Sequence, residues 1–292
     1  MQMLHSNVTT RRRFIGSGIA LLAGSPWVVS SRLFAEGQET PSSAALSDQQ
    51  KEQFLMTAKL VRHRNISTGV TGTQRLTLTD GQLTHDAHFQ SIDVRQSRFE
   101  TPLGTEINFR DCYKFNIAAY RLDRLIHLNM VPVSIERRIG RDTGSVTWWV
   151  DDVLMMELDR HRKKIEPPDS EDWNDQMYQV RVFNELVYNT DPNLGNVLIT
   201  KDWRLRLIDF TRAFRLYKTL RAEDNLGPRI DRRVYEGLKS LNQETLTREL
   251  GSLLEKPQIE GILARRDKIV EHFDGLIASR TEAAVICDKP GH

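Results

Sequence analysis

Cysteine is scarce in this chain: Cys112 and Cys287 are its two, far apart and outside any Cys-x-x-Cys pairing. That excludes a zinc ribbon and a redox dithiol. It leaves open either a disulfide in an oxidising compartment or two separate buried thiols. There is no His-Glu-x-x-His helix and no serine nucleophile elbow, and His127 and His161 have no companions at metal-ligand spacing. Zinc-protease and α/β-hydrolase chemistry therefore drop out. Past the N-terminus no run of about 18 apolar residues is present, so the mature chain carries no stable spanning helix. With 39% hydrophobic and 27% charged residues in a length of 292, the composition is that of a globular protein able to bury a sizeable core.

The charge balance is near neutral, and its small excess is local. Thr10, Arg11, Arg12, Arg13, Phe14, Ile15 and Gly16 precede an apolar stretch reaching Val29, and the whole resembles a twin-arginine export signal over residues 1–35. Without Arg11, Arg12, Arg13 and Arg32 the 41 basic side chains fall to 37 against 39 acidic ones. No basic stripe for nucleic acid remains. The expectation is a periplasmic or exported protein, with a signal-anchored form as the alternative, that meets the twin-arginine export machinery. Residues 36–48, rich in Gly, Ser, Thr, Pro and Gln, read as a flexible linker.

Beyond it the chain divides into a β-rich part, 49–150, and a helical part, 151–292. Helical spacing runs from Gln49 to His63 through Phe54, Leu55, Ala58 and Leu60. Strand patterns follow at Ile66–Val70, Arg75–Thr79 and Thr84–Val94, broken by Gly69, Gly72 and the Asp80-Gly81 turn. A helix is predicted over Cys112–Leu128, then two strands, Val133–Arg137 and Ser145–Val150. Asp151 and Asp152 are read as a hinge leading into a helix through Leu154, Met155 and Leu158. An amphipathic helix after Pro167-Pro168, strands at Val197–Ile199 and Leu205–Ile208, and helices near 231–241, 243–255 and 258–282 complete the reading.

The chemistry concentrates in one stretch. Asp191 is followed five residues later by Asn196, and thirteen residues after that by Asp209 in the string Leu207-Ile-Asp-Phe-Thr211. Phosphoryl transfer needs a carboxylate to orient or deprotonate an acceptor hydroxyl and hard oxygen ligands to hold Mg²⁺ against phosphates. Asp191 suits the first task, and Asn196 and Asp209 suit the second. A blander reading makes Asp191-Pro192-Asn193 a turn and Asp209 the cap of a helix over Arg212–Tyr217. A carboxylate ending an apolar strand asks for a cation, either Arg212 or Mg²⁺.

Together with Phe115-Asn-Ile-Ala-Ala-Tyr-Arg-Leu-Asp-Arg-Leu125 and Leu128-Asn-Met-Val-Pro132, these strings resemble the atypical kinase-like superfamily. That group includes Golgi casein kinase and four-jointed kinases, HipA toxins and phosphatidylinositol kinases. The resemblance implies an α+β, two-lobed protein-kinase-like fold, with a small antiparallel β lobe carrying one helix and a larger helical lobe. It further implies Asp191 as catalytic aspartate, Asn196 and Asp209 as Mg ligands, ATP as donor, and an unknown protein or small molecule as acceptor. The Gly69 to Gly72 connection falls where such a lobe covers the phosphates.

Two departures stand out. Where the resemblance implies a phosphate-gripping Lys on the third strand and a helix Glu paired with it, this chain has Gln90 and Asn116. A charge-assisted phosphate contact is worth roughly 1.5–3 kcal/mol, so its loss weakens turnover or binding without abolishing it. A pair of amides avoids a lone buried charge. The alternatives are thus an active Mg- and ATP-dependent phosphotransferase, a pseudokinase that binds nucleotide or a partner, and an enzyme that transfers AMP. Lys114 is the nearest other cation, and His88, Arg75 and Arg95 are read as solvated or structural.

Overall fold

In the computed structural model, residues 46–65, 73–101 and 104–288 are described. The export segment 1–35 and the Gly69 and Gly72 connection lie outside them. The first helix, α1 (Asp48–Thr57), starts at a capping box in which the Ser47 hydroxyl accepts from the Gln50 backbone N–H at 3.3 Å and the Gln50 side chain accepts from that of Ser47 at 2.8 Å. The helical spacing seen to residue 63 does not continue. The chain enters strand β1 (Lys59–Asn65) instead, because pairing with β2 (Gln74–Thr79) claims its backbone. Leu60, counted as a helical apolar position by the pattern, is exposed on this edge strand, as is Val61.

The turn into β3 (Thr84–Gln90) is built by Asp80, whose carboxylate accepts from the backbone N–H of Gln82 at 2.9 Å and of Leu83 at 2.8 Å, while Gly81 takes φ +96°. The single strand expected over 84–94 is two. β3 stops at Gln90, and β4 (Asp93–Thr101) leaves the sheet to pair with β5 (Gly104–Cys112) as a separate two-stranded ribbon. Helix α2 (Lys114–Leu125) follows, then β6 (Ser134–Ile139) and β7 (Asp142–Trp148), which close an antiparallel sheet of order β1-β2-β3-β7-β6.

The two faces of this sheet differ chemically. Leu76, Leu78, Ala87, Phe89, Val146 and Trp148 form one face and join the core, with Phe54 of α1 edge-on to Trp148 at 5.7 Å. Strand alternation places Thr77, Arg75, Asp86, His88, Gln90, Thr147 and Ser145 on the other. Helix α2 lies against this second face at Ser145, which accepts a hydrogen bond from the Asn116 amide at 3.3 Å.

Val153–Met156 is strand β8, not the start of a helix. Four apolar residues carry no period of their own, and antiparallel pairing with β9 (Val197–Thr200) decides. The helix begins only at Glu157, as α3 (Glu157–Lys163). Helix α4 (Ser170–Leu186) is capped by Asp169, which accepts from the backbone N–H of Glu171 and Asp172. It buries Trp173, Val180, Phe183 and Leu186 and leads to the loop before β9. Strand β10 (Leu205–Leu207) pairs with β9 in the register Leu207 to Val197.

The remaining helices, α5 (Arg232–Ser240), α6 (Gln243–Leu250), α7 (Lys256–Ser279) and the short α8 (Glu282–Val285), follow the spacing read from the sequence, with β11 (Ile230–Asp231) and β12 (Ile286–Cys287) as a small parallel pair. Cys112 and Cys287 are both free and buried, so the separate-thiol alternative is the one the fold adopts. Among the described residues no helix is long and apolar enough to cross a membrane.

Candidate active site

Asp191, Asn196 and Asp209 are brought together by backbone geometry. After α4 the chain turns through Tyr188 at φ +46°, and the Asn189 carboxamide oxygen accepts from the Asp191 backbone N–H at 3.0 Å. A 3-10 turn, Leu194–Asn196, is started by Asn193, whose side chain accepts from the Gly195 N–H at 2.8 Å. Its last residue ties the site together. The Asn196 amide N–H donates to the Asp191 carbonyl at 3.5 Å, and the Asn196 carbonyl accepts from Ile208 N–H at 3.0 Å. Asn196 and Asp209 thus sit at the same end of the β9–β10 hairpin, beside Asp191.

Asp209 itself is exposed and adopts φ +60°, with its carboxylate accepting from the Thr211 hydroxyl at 3.1 Å. No helix follows it: residues 211–217 are irregular, so it is not a helix cap. Nor is Arg212 its cation, because Arg212 donates to Glu106 of the ribbon at 3.0 Å. Glu106 also pairs with Arg215. Phe109 lies stacked on Phe99 at 4.1 Å, with the guanidinium groups of Arg212 and Arg215 near its ring at 5.2 and 5.3 Å. The ribbon therefore straps the segment after Asp209 in place, helped by Cys112 N–H donating to the Thr211 carbonyl at 2.9 Å.

Gln90 and Asn116 are both buried. Gln90 is 2% exposed, and its backbone carbonyl accepts from the Ser145 hydroxyl at 3.4 Å. Asn116 donates to Ser145 and accepts from the Phe210 backbone N–H at 2.8 Å. A chain of neutral hydrogen bonds thus runs from the Gln90 backbone carbonyl through Ser145 and Asn116 to the residue after Asp209. Gly144 is required beside it, since an added Cβ would stand 2.3 Å from the Gln90 carbonyl oxygen.

Three residues that motif reading passed over complete the surroundings. Asp111 of β5 is buried, with one carboxylate oxygen lacking a hydrogen bond, and burial together with the Asp209 charge raises its pKa despite the Thr211 hydroxyl. Arg265 of α7 is fully buried and donates to the carbonyls of Leu186 at 2.8 Å, Arg215 at 3.2 Å and Tyr217. Burial pushes its guanidinium down to about 10, so it stays charged at neutral pH. His85 is the third, stacked on Trp148 at 3.8 Å and bonded to Asp151 at 2.7 Å. Only the spacing of α7 hinted at Arg265, as a cation on an otherwise apolar helix face.

Beside the loop opens a cleft of about 380 Å³, lined among others by Arg95, Ile107, Arg110, Arg215, Tyr217 and Glu255. It borders the loop through Arg215, which donates to the Thr190 hydroxyl at 3.4 Å. Among the described residues no group of three or more His, Cys, Asp or Glu side chains forms a metal cage. One carboxylate and one amide oxygen fit instead a Mg²⁺ whose remaining positions go to phosphates and water.

No protein-family model and no curated protein sequence matches the chain. Solved structures do. Hydra Fam20 determined with sugar superposes with TM-score 0.61 at 16% identity, covering 82% of this chain and 92% of that one. Golgi casein kinase with Mn/ADP bound gives TM-score 0.57 at 15% identity, covering 85% and 81%. At such identities the likeness speaks for architecture alone, and with the antiparallel sheets and helices described above it shows an α+β, two-lobed kinase-like fold.

Proposed function

We propose that this protein is an exported, Mg-dependent phosphotransferase that uses ATP, with its lobes meeting near residue 150. The observation that carries the reading is the Asp191, Asn196 and Asp209 arrangement, held by the 3.5 Å and 3.0 Å hydrogen bonds of Asn196. It occurs in a fold shared with a casein kinase solved with Mn/ADP. Asn196 and Asp209 would hold the metal, which when bound neutralises charge on the transferred group. Asp191 orients the acceptor hydroxyl and takes its proton. The Asn189 side chain fixes the Asp191 backbone, and Asn116 fixes that of Phe210, so both carboxylates are placed before substrate arrives. An acceptor, protein or small molecule, would approach through the cleft beside Thr190.

The test is a Mg-ATP thermal shift followed by intact-mass analysis of modified targets. A shift in the wild type that disappears in Asp209→Asn, with an 80 Da gain on a target lost in Asp191→Ala, supports the reading; no shift at all sinks it. A second reading, a pseudokinase that binds nucleotide without turnover, is favoured by the neutral Asn116 and Ser145 network where an ion pair would stand. Steady transfer abolished by Asp191→Ala rules that one out, and a 329 Da gain instead assigns AMP transfer.

A further inference from the structure

The kinase-like resemblance implies a phosphate-gripping lysine on the third strand, where this chain has Gln90, 2% exposed. The remaining groups on its face of the sheet can be sorted by what they already do. Arg75 donates to Asp86 at 2.6 Å and lies over the Trp149 ring at 4.1 Å. Asp86 is further held by the Thr77 hydroxyl at 2.6 Å. Asn116 is spent on Ser145 and Phe210. His88 alone among these is unspent: it is half-buried, and no hydrogen bond of its imidazole occurs among the described residues.

Its position is set by register. On β3, alternation puts His88 on the same face as Gln90, one pleat further from α2, directly opposite Thr147 of β7 and Arg75 of β2. The same face leads to Asp209: Ser145, next but one to His88's partner Thr147, is hydrogen-bonded to Asn116, which accepts from the N–H of Phe210, the residue after Asp209. We infer that His88 is the phosphate-contacting residue of the upper lobe, donating from its imidazole to the phosphates of the donor nucleotide opposite Asp209.

This rests on the phosphotransferase reading and sharpens it. A neutral imidazole offers one N–H donor, enough for a single contact to a phosphate oxygen. Such a contact is shorter in reach than a lysine's, so the phosphates must lie closer to the sheet than a lysine would hold them. Adding charge at this position through His88→Lys supplies a longer donor to the same place.

The experiment uses the full chain and three probes: Mg-ATP, Mg-tripolyphosphate and adenosine, each titrated by calorimetry. His88→Ala is expected to weaken both phosphate-bearing probes by about tenfold or more and leave adenosine unchanged, His88→Lys to recover most of the loss, and Lys114→Ala to have no effect. In the wild-type protein, the His88 imidazole resonance is expected to move on adding Mg-tripolyphosphate, a readout that does not depend on a variant folding. Mg-ATP affinity within twofold in His88→Ala, an equal loss for adenosine, or a loss carried by Lys114→Ala overturns the assignment while leaving the phosphotransferase reading in place. A wild type that binds neither phosphate probe overturns both.

Discussion

Replacing Asn116 by Ala removes the acceptor for the Phe210 N–H, a 2.8 Å bond in a site where Asn116 is 7% exposed. Water does not reach that N–H readily, so its desolvation goes uncompensated at about 1–3 kcal/mol, and the small void left by the amide adds to it. The total is about 2–4 kcal/mol, which for a domain of this size corresponds to a melting-temperature fall of roughly 5–15 °C. The same bond steadies Asp209, whose φ of +60° costs a residue with a side chain about 1 kcal/mol. Once Phe210 is released, Asp209 relaxes. The Mg-ATP thermal shift should therefore shrink in Asn116→Ala beyond the loss of stability itself. Ser145→Ala, which removes only the longer 3.3 Å contact to Asn116 and the 3.4 Å contact to Gln90, should cost less. Differential scanning fluorimetry with and without Mg-ATP measures all of this. If Asn116→Ala melts within 1 °C of wild type, or if Ser145→Ala is the more damaging change, the amide network does not hold the site and the reasoning fails.

Arg265→Met should lower unfolding free energy in urea by about 3–5 kcal/mol, because it strips the Leu186, Arg215 and Tyr217 carbonyls of their buried donor; a loss under 1 kcal/mol would mean the loop carries itself. Gly144→Ala drives a Cβ into backbone at Gln90 and should leave little folded protein at 37 °C, visible as loss of soluble expression or of the cooperative melt. Asp123, fully buried and accepting from Met130 and Val131 N–H at 2.9 and 3.1 Å, has its pKa raised from 3.8 to about 6, mainly by burial. The folded state then holds the extra proton between those values, so this group's contribution falls as pH rises from about 4 to 6. The stability of Asp123→Asn relative to wild type should accordingly increase over that window by about 3 kcal/mol, and equal pH dependence of the two proteins would contradict it.

Much of this architecture was legible because the elements carry their own period. The apolar face of α2 at Phe115, Ala118, Ala119 and Leu122, and the short strands around Asp209, announce themselves without tertiary help. Val153–Met156 did not, since four apolar residues are as good a helix start as a strand and the partner strand lies some forty residues on. The β4–β5 ribbon was hidden for another reason: its sequence alternates charge with isolated aromatics, and what it holds are arginines that lie beyond Asp209. At the site, the Asp191, Asn196 and Asp209 spacing was readable. The engagement of Asn116 with a backbone N–H was not, because an amide's partner is fixed only by packing, and the same holds for His88, whose face is set by the register of β3.

The ribbon also imposes an order of events on synthesis. Glu106 and Arg212 are 106 residues apart, so the strap leaves the ribosome well before the segment it binds. At about 5–20 residues per second that interval is roughly 5–20 s. Throughout it, Phe109 has Phe99 but not its arginines, and Glu106 lacks Arg212 and Arg215. A nascent chain in that state presents an unpaired two-stranded edge with an aromatic face. Recombinant yield should thus respond more to conditions that shorten or shield this window than to further stabilisation of the finished fold.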